Sequence, residues 1–463
     1  MHDKLSKVLT TSLPIKIFQI VSLLLVSSEL LASSDTKPLA NSEGSALTYS
    51  TAGSISHKNE FFQDLGSNKR VCASCHRPEE GWSVAPVGIK KRFKKTSGTD
   101  PIFRLNDGSN SPNADVSSKT LRAAAYSQLL EKGLFRVGLK VAKNAEFELI
   151  EALDPYRFVS LDSDTPELSL FRRPLPTTNL KFLSSVMWDG RESVAEQDIA
   201  ADLQTQANSA TTGHAQGEPL SIIQRQHIVE FETSLFTTQV FDKAAKSLAS
   251  SGAKALPKAL TTQVFTLGIN SPYLNGAVNP AFNPRIFDIF DAWNQRPDKN
   301  GNDARASVAR GQEIFNSRTF KIKEVSGLND DALFGNASEI IGTCGTCHNT
   351  PNVGSSSTAL FLNTGISDES RRTYDLPLYR LRNKTSGKGV STTDPGRALV
   401  TGLWKDIGKF KVPALRALAA RPPYFHNGQA SELANVVDFY ESRFGLGLNN
   451  RERLDLINFL GAL

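Results

Sequence analysis

All four cysteines of this 463-residue chain lie in two copies of one five-residue pattern. The copies are CASCH (72–76) and CGTCH (344–348). Disulfide bonds would explain paired cysteines in an exported protein, and a zinc site would explain cysteine beside histidine. Neither accounts for the identical spacing of both pairs and the histidine that directly follows each second cysteine. The repeated pattern therefore indicates a chemistry that needs all three residues.

Cys-x-x-Cys-His is the attachment pattern of c-type haem, in which both sulfurs bind the haem covalently and the histidine binds its iron. Because the two copies use every cysteine of the chain, they predict two covalently bound haem c groups. The histidines predicted to be proximal iron ligands are His76 and His348. The predicted attachment cysteines are Cys72, Cys75, Cys344 and Cys347.

The N-terminus has the order of features found in an export signal. Lys4, Lys7 and Lys16 precede the apolar run IFQIVSLLLVSSELLA, and small residues follow at 32–34. This order predicts a signal peptide over residues 1–34 that is removed on export to the periplasm. The alternative is an uncleaved anchor helix, but a run of about 16 residues that contains a glutamate is short for spanning a bilayer. Since no second apolar run approaches that length, we expect no integral membrane segment after cleavage.

The composition is that of a soluble globular protein, with 39% hydrophobic and 22% charged residues. The formal net charge is +6, and the positive residues form no dense block of the kind that marks a nucleic-acid-binding arm. We therefore expect no nucleic-acid partner. An acidic protein partner is compatible with this charge.

Two segments of the C-terminal half have the apolar spacing of amphipathic helices. In ARASVARGQEIF (304–315) the apolar residues recur around Gly311, a small residue where helices could cross. The segment NNRERLDLINFLGAL (449–463) predicts a closing helix. The residues expected on its inner face are Leu454, Ile457 and Leu460.

Stretches rich in Gly, Ser, Thr and Pro separate the helical segments, and the alternation typical of strands is scarce. The expected loops and insertions are 95–118, 160–178, 250–283 and 352–368. The predicted fold is mainly α, with two c-type cytochrome-like haem domains and long loop insertions. We expect the N-terminal haem domain over residues 50–295 and the C-terminal one over 303–463, joined by a polar linker near NQRPDKNGND (294–303).

Three further stretches carry a family resemblance: MWDGRE (187–192), FKVPALRALAARPPYFHNG (410–428) and HNGQASELANVVDFY (426–440). With two haem motifs in this order, the chain resembles the bacterial dihaem cytochrome c peroxidase and MauG superfamily. The resemblance implies that hydrogen peroxide reacts at the N-terminal haem and that the second haem is six-coordinate. It also implies a tryptophan and a calcium ion between the two haems.

Carried over by the resemblance, Trp188 matches the bridging tryptophan, although an ordinary core tryptophan would fit the same position. Asn179 and the backbone carbonyls of Arg421 and Pro423 fall near the family's calcium ligands. Oxygen ligands suit calcium. Arg421 stands where the family usually has threonine, which departs from the calcium-binding pattern.

The histidines separate the two predicted iron sites. Apart from His2 in the signal peptide and the two proximal ligands, the chain has His57, His214, His227 and His426. Many peroxidases of this family carry a histidine after the first haem motif that caps the resting N-terminal haem. No histidine lies between 76 and 214. We therefore expect an N-terminal haem without that cap, open to peroxide, as in MauG-type members.

Peroxide cleavage needs a group that moves a proton from one peroxide oxygen to the other. In the family a glutamine and a glutamate ten residues apart do this, downstream of the WDGR block. Here the usual run is replaced by EQDIAADLQTQANSATTGHAQGE (196–218), in which Gln204 and His214 are ten apart. We expect these two to be catalytic, since histidine titrates near neutrality; Gln197 and Glu218 are other candidates. A surface or core histidine is the alternative for His214.

The predicted sixth ligand of the second haem rests on a family offset and on the composition. In the peroxidases a methionine lies fourteen residues after the histidine of the PYFHDG-like block; here that position is Tyr440. The chain has two methionines, Met1 in the signal peptide and Met187 beside Trp188. Tyr440 also ends an apolar helical stripe, so it faces inward whether it is a core residue or a ligand. We predict that it binds the iron, as tyrosine does in catalase.

These observations predict a periplasmic dihaem oxidoreductase that uses hydrogen peroxide to oxidise a small cytochrome or a protein electron donor. His/Tyr ligation places it nearer the MauG-type branch, which acts on protein side chains. Two other functions stay open. A dihaem oxygenase would act on an organic substrate, and a passive electron carrier would have two six-coordinate haems and no reaction with peroxide.

Overall fold

The structure, a computed structural model, describes residues 37–193, 198–272, 282–294 and 303–463. The predicted signal peptide and Gln197 lie outside these residues, as does most of the predicted linker. Within the described ranges, no helix combines the length and the apolar character needed to cross a bilayer.

The prediction of a mainly α fold is wrong, because only 32% of the structure is helical and 17% is strand. The α-helices of the described chain are α1 (Pro86–Thr96), α2 (Lys119–Ala125), α3 (Ser127–Lys132), α4 (Ile199–Gly213), α5 (Ile222–Thr233), α6 (Pro257–Thr261), α7 (Asp303–Ser317), α8 (Ala398–Thr401), α9 (Leu433–Phe444) and α10 (Asn450–Gly461). Short 3-10 helices cover Glu60–Phe62, Cys72–Ser74, Pro78–Glu80, Leu180–Phe182, Asp291–Trp293, Ala332–Phe334, Cys344–Thr346, Glu369–Arg371, Trp404–Asp406 and Leu418–Ala420.

The strands form small antiparallel sheets. They are β1 (Leu39–Ala40), β2 (Gly44–Ser50), β3 (Phe135–Lys140), β4 (Phe147–Leu153), β5 (Glu167–Arg172), β6 (Leu235–Asp242), β7 (Lys246–Ser247), β8 (Phe320–Ile322), β9 (Ile340–Gly342), β10 (Phe361–Leu362), β11 (Leu378–Asn383), β12 (Gly389–Thr392) and β13 (Phe410–Lys411). The sheet orders among the described strands are β1-β2-β6-β7, β3-β5, β12-β11-β4, β8-β9 and β10-β13.

Some strands lack an alternating pattern because both of their faces are covered. In β5 every residue after Glu167 is buried, and in β6 the residues from Leu235 to Val240 are all buried. A strand covered on both sides shows no alternation of apolar and polar residues. The expected loop 160–178 therefore contains a strand that the sequence pattern does not reveal.

The crossing of α7 and α10 confirms the role predicted for Gly311. A Cβ atom at Gly311 would lie 2.0 Å from the backbone oxygen of Asp455, so a larger residue would force the helices apart. The inner face of α10 includes Leu456, Phe459 and Leu460.

The inward assignment of Leu454 is wrong, since this residue is 54% exposed. Its neighbour Asp455 is buried instead. The Asp455 carboxylate accepts hydrogen bonds from the hydroxyl of Ser307 (2.6 Å) and from Nε of Arg310 (2.7 Å). This buried polar contact with α7 turns α10 so that Leu454 faces solvent.

Residues from both predicted haem domains share one sheet. Strand β11 pairs with β12 on one side and with β4 on the other, so that Leu381 lies opposite Leu149. The buried guanidinium of Arg172 also reaches across, with its Nε 2.7 Å from a carboxylate oxygen of Asp394. The two halves are therefore held together by backbone pairing and by a buried ion pair.

Candidate haem-binding sites

Both Cys-x-x-Cys-His motifs fold into the same turn. Each begins with a 3-10 helix, over Cys72–Ser74 and Cys344–Thr346. In each, the histidine backbone N–H donates to the carbonyl of the first cysteine at 3.0 Å. The hydroxyl of Ser74 or Thr346 accepts the backbone N–H of the residue before that cysteine, at 3.1 and 2.9 Å. The chain therefore builds the same local structure twice.

The two motif histidines are oriented in the same way. Nδ1 of His76 donates to the carbonyl of Trp82 at 3.0 Å, and Nδ1 of His348 donates to the carbonyl of Gly354 at 2.5 Å. A carbonyl only accepts, so each imidazole keeps its proton on Nδ1 and leaves Nε2 free to bind a metal. Burial lowers the pKa of both histidines to about 4, so they are neutral at pH 7.

The cysteines are free thiols at two cavities beside these histidines. The first cavity is lined by Cys72, Cys75 and His76, and the second cavity is lined by Cys344, Cys347 and His348. Burial raises the pKa of Cys75 to about 11 and that of both C-terminal thiols to about 12. Two neutral thiols and one free imidazole nitrogen beside each cavity fit the attachment of haem.

His214 lines the first cavity together with His76. It directly follows the last residue of α4. Its side chain is 45% exposed, so a small molecule from solvent can reach it.

A buried ion pair that the sequence analysis missed holds His214. Its Nδ1 lies 2.5 Å from one carboxylate oxygen of Asp107, and Nη1 of Arg70 lies 2.5 Å from the other. Burial raises the pKa of Asp107, but the hydrogen bond from His214 and the charge of Arg70 outweigh it and leave the pKa below its usual value. The ionised carboxylate keeps the His214 proton on Nδ1 and leaves Nε2 free to accept another. No sequence signal links the two residues, because 107 positions separate them.

The structure does not bring Gln204 to this cavity. Gln206, on the same helix, lines it instead. Glu218 is exposed and does not line the cavity either, and Gln197 lies outside the described residues. Of the predicted acid/base candidates that can be placed, His214 alone lines this cavity.

A second carboxyl in the first cavity was also missed. Glu232 of α5 is buried and lines the cavity. One of its carboxylate oxygens has no hydrogen-bond partner among the described residues, and burial raises its pKa to about 8. At neutral pH this group is therefore mostly a neutral acid.

Tyr440 lines the second cavity with His348 and both C-terminal cysteines. The other residues of its helical stripe line the same cavity: Leu433, Val436 and Val437. Burial raises the pKa of Tyr440 well above its usual range. Its hydroxyl forms no hydrogen bond within the part of the chain that the structure describes. Tyrosine hydroxyls in apolar surroundings usually find such a partner, so this one suits a group that binds in the cavity.

Trp188 also lines the second cavity. Its indole Nε1 donates to the carbonyl of Arg173 at 2.8 Å, and its own carbonyl accepts from the backbone N–H of Lys411 at 2.8 Å. Ser83, which lines the same cavity, is the chain neighbour of Trp82, whose carbonyl holds His76. One step along the backbone, from Ser83 to Trp82, therefore leads from the lining of the second cavity to the carbonyl that orients His76.

The residues predicted to hold calcium are engaged in other contacts. The side-chain amide of Asn179 binds Thr237 twice, donating to its carbonyl at 2.9 Å and accepting its N–H at 3.1 Å. The carbonyl of Arg421 accepts from the guanidinium of Arg173 at 3.2 Å. Within the described ranges, no group of three or more His, Cys, Asp or Glu side chains could hold a metal ion. The guanidinium of Arg173 therefore lies beside one of the oxygen atoms that the sequence predicts as calcium ligands.

Three curated relatives share part of this sequence. The chain is 32% identical over 190 residues to cytochrome-c peroxidase IdrP1 of Pseudomonas sp. (strain SCT), which covers 35% of this chain and 49% of the relative. Cytochrome-c peroxidases IdrP1 and IdrP2 of Denitromonas iodatirespirans are each 33% identical, over 140 and 133 residues, covering 26% of this chain and 36% of each relative. The chain thus spans about half or less of the length of these relatives.

No family model matches the chain. Among solved structures, a MauG-like protein associated with microbial copper homeostasis aligns over 94% of both chains, with a TM-score of 0.37 and 14% sequence identity.

Proposed function

We propose that this chain is an exported dihaem c-type peroxidase of the cytochrome c peroxidase and MauG superfamily. It would use hydrogen peroxide to oxidise a small cytochrome or a protein electron donor in the periplasm. Support comes from two identical haem-attachment turns, each beside a cavity, and from partial similarity to proteins named cytochrome-c peroxidase.

The strongest support is the position of His214 in the first cavity. A passive electron carrier has no need of a solvent-accessible acid/base group beside its iron ligand. Here His214 lies in the same cavity as His76, with its Nδ1 fixed by Asp107. Its free Nε2 can accept a proton from one peroxide oxygen and return it to the other.

When bound, each haem supplies a redox-active iron, and the reduction of hydrogen peroxide to water takes up two electrons and two protons. The protein's own groups handle the protons. His214 transfers one at Nε2 while Asp107 stabilises the cationic imidazole in between. Arg70 is buried against Asp107 and keeps that carboxylate ionised.

In the second cavity we propose that Cys344 and Cys347 would hold a haem and that His348 and Tyr440 would bind its iron. Trp188 lines this cavity and is fixed by the carbonyl of Arg173. We propose that the indole lies on the route of electrons between the two sites.

Tyr440 favours one variant of this function, the oxidation of a protein side chain in place of a cytochrome. A tyrosine ligand stabilises ferric iron, whereas the methionine of ordinary electron-transfer haems raises the potential. A haem with His and Tyr ligands is therefore a poor acceptor for electrons from a small cytochrome.

The function is tested with mature, haem-loaded protein and one equivalent of hydrogen peroxide, followed by optical spectroscopy. We expect a rapid spectral change without any donor. Rapid turnover of a reduced cytochrome added afterwards favours the cytochrome donor, and slow turnover favours a protein substrate. Two six-coordinate haems and no spectral change on adding peroxide would overturn the proposal in favour of a passive carrier.

A further inference from the structure

Three cationic side chains line the second cavity, and no Asp or Glu of the described residues lines it. The cations are Arg173, Lys411 and Arg421. Arg173 is 5% and Lys411 6% exposed. None of the three forms an ion pair with a carboxylate in the described part of the chain. A buried cation without a counter-charge destabilises a fold unless an anion binds beside it.

The partners that these cations do have are neutral. Nζ of Lys411 donates to the carbonyl of Ser185 at 2.5 Å, and Arg421 donates through Nη2 to the carbonyl of Ala414 at 2.7 Å. Arg173 donates to backbone carbonyls, including that of Val84 at 2.6 Å. Carbonyl contacts orient the cations but do not neutralise them. Moreover, Nε of Arg421 is buried without any partner among the described residues.

One carboxyl, that of Glu80, lies within electrostatic reach of Arg173. Its Oε2 accepts the backbone N–H of Ala85 at 2.8 Å and does not bind the guanidinium. Burial raises the pKa of Glu80, which weakens it as a counter-charge. Within the described residues, the protein itself therefore supplies no paired carboxylate for these cations. Burial lowers the pKa of Arg173 to about 9 and that of Lys411 to about 7, and an anion bound beside them would raise both pKa values and keep the side chains charged.

The first cavity shows the contrast. The buried cation there, Arg70, is already paired with Asp107, whose carboxylate lies 2.5 Å away. Among the residues that the structure describes, buried cations without a paired carboxylate are thus a feature of the second cavity that the first cavity does not share.

The rest of the second cavity is largely apolar and includes Phe315, Leu362, Val437 and Leu460. Its occupant must therefore combine a large apolar body with negative charge. A haem has this chemistry, because its flat ring is apolar and two carboxylates leave one edge.

We propose that Arg173, Lys411 and Arg421 form the site for the two carboxylates of the haem attached at Cys344 and Cys347. The inference rests on the proposed function, since it needs a haem at the second motif. The cations hold the haem by its polar edge, in addition to the apolar contacts and the covalent attachment. They also place fixed positive charge beside this haem, which favours the reduced iron.

Lys411 gives the sharpest test, because Lys409, two positions earlier, is a matched control. Lys409 is also buried, but its Nζ is paired with Asp406 at 3.2 Å and it does not line the cavity. The variants are Lys411→Met, Lys411→Arg and Lys409→Met. The readouts are the number of attached haems per chain and the reduction potential of each haem at pH 7.

In Lys411→Met we expect both haems to stay attached. The reduction equilibrium of the second haem should fall about tenfold, or about 59 mV for a one-electron couple. Lys411→Arg should restore the potential, because it returns the charge, and Lys409→Met should leave it unchanged.

Arg421→Met is a second variant, and we expect the same direction of change. If Lys411→Met and Arg421→Met carry two haems with the potentials of Lys409→Met, this proposal is wrong while the proposed function stands. A wild-type chain that carries no haem at Cys344 and Cys347 would overturn both proposals.

Discussion

Among the polar side chains that line the cavities, Tyr440 keeps a free hydroxyl and His214 keeps a free Nε2 within the described part of the chain. In both cases the surrounding protein fixes the residue and leaves that group unused. Tyr440 is fixed by its helix and His214 by Asp107. Such groups are expected where a ligand or substrate supplies the missing partner.

Tyr440→Phe should leave both haems attached and change the ferric spectrum of the second haem, because the hydroxyl proposed to bind its iron is lost. The matched control is Tyr424→Phe. Tyr424 lines the same cavity, but its hydroxyl donates to the carbonyl of Leu418 at 3.1 Å. We expect the control to keep the spectrum and to lose about 1 kcal/mol of unfolding free energy with that hydrogen bond. A Tyr440→Phe spectrum identical to wild type would show that Tyr440 is a core residue and not an iron ligand.

His214→Ala should slow the reaction with peroxide by about 10²- to 10⁴-fold, the usual contribution of a positioned acid/base group. Asp107→Asn should slow it less, since His214 keeps a hydrogen-bond partner but loses the charge that stabilises its cationic form. Stopped-flow spectroscopy measures both rates.

His227→Ala is the control for these variants. His227 is an exposed histidine whose Nδ1 lies 2.9 Å from the carboxylate of Glu60, and it does not line the first cavity. Its removal should leave the rate unchanged. A His214→Ala enzyme as fast as His227→Ala would exclude His214 from proton transfer.

At the residue scale, the sequence reveals what repeats or stands at a fixed spacing. The cysteines and histidines that line the two cavities follow from the repeated motif alone, and the place of Tyr440 at the second cavity follows from an offset within one short block. The roles of Asp107 and Lys411 could not be predicted in this way, because only tertiary folding brings each residue to its cavity.

At the scale of elements, the predictable parts are the amphipathic helices. The apolar spacing of 304–315 correctly predicts α7, since one face of such a helix packs against the core and the other faces solvent. Strands β5 and β6 were missed because both of their faces are buried. Leu454 was misplaced because a buried carboxylate, Asp455, takes the inner face of α10.

Gly311→Ala should destabilise the protein by about 1–3 kcal/mol, the usual effect of overpacking a close contact. The added methyl group would meet the backbone oxygen of Asp455 at 2.0 Å. Gly213→Ala is the control, because Gly213 is also helical and a Cβ there meets nothing within 4 Å. Denaturant unfolding of haem-loaded protein should show a loss for the first variant and none for the second. Equal stabilities would contradict the close crossing of α7 and α10.

At the scale of the whole molecule, two neighbouring arginines, Arg172 and Arg173, connect the two halves of the chain. Arg172 pairs with Asp394 across the junction. Arg173 binds the carbonyls of Val84 and Arg421, one from each half. The sequence reveals the unusual Arg421 but not its partner Arg173, whose guanidinium reaches this place only through the fold.

We expect the protein to be independent of calcium, because Arg173 already supplies positive charge to the carbonyl of Arg421. Elemental analysis of purified protein should find far less than one calcium per chain. Excess EGTA should change neither the haem spectra nor the thermal unfolding midpoint, and calcium-saturated EGTA serves as the control. A stoichiometric calcium ion whose removal alters the spectra would contradict this expectation.

The pairing of β4 with β11 has a consequence for how the protein is assembled. The residues that meet in this sheet, such as Leu149 and Leu381, are separated by more than two hundred positions. Contacts between such distant segments slow folding, since a long loop must close before they form. Until β11 pairs with it, the edge of β4 that β11 covers in the folded protein is open to other strands. We therefore expect the first half, expressed by itself, to aggregate more readily than the full chain.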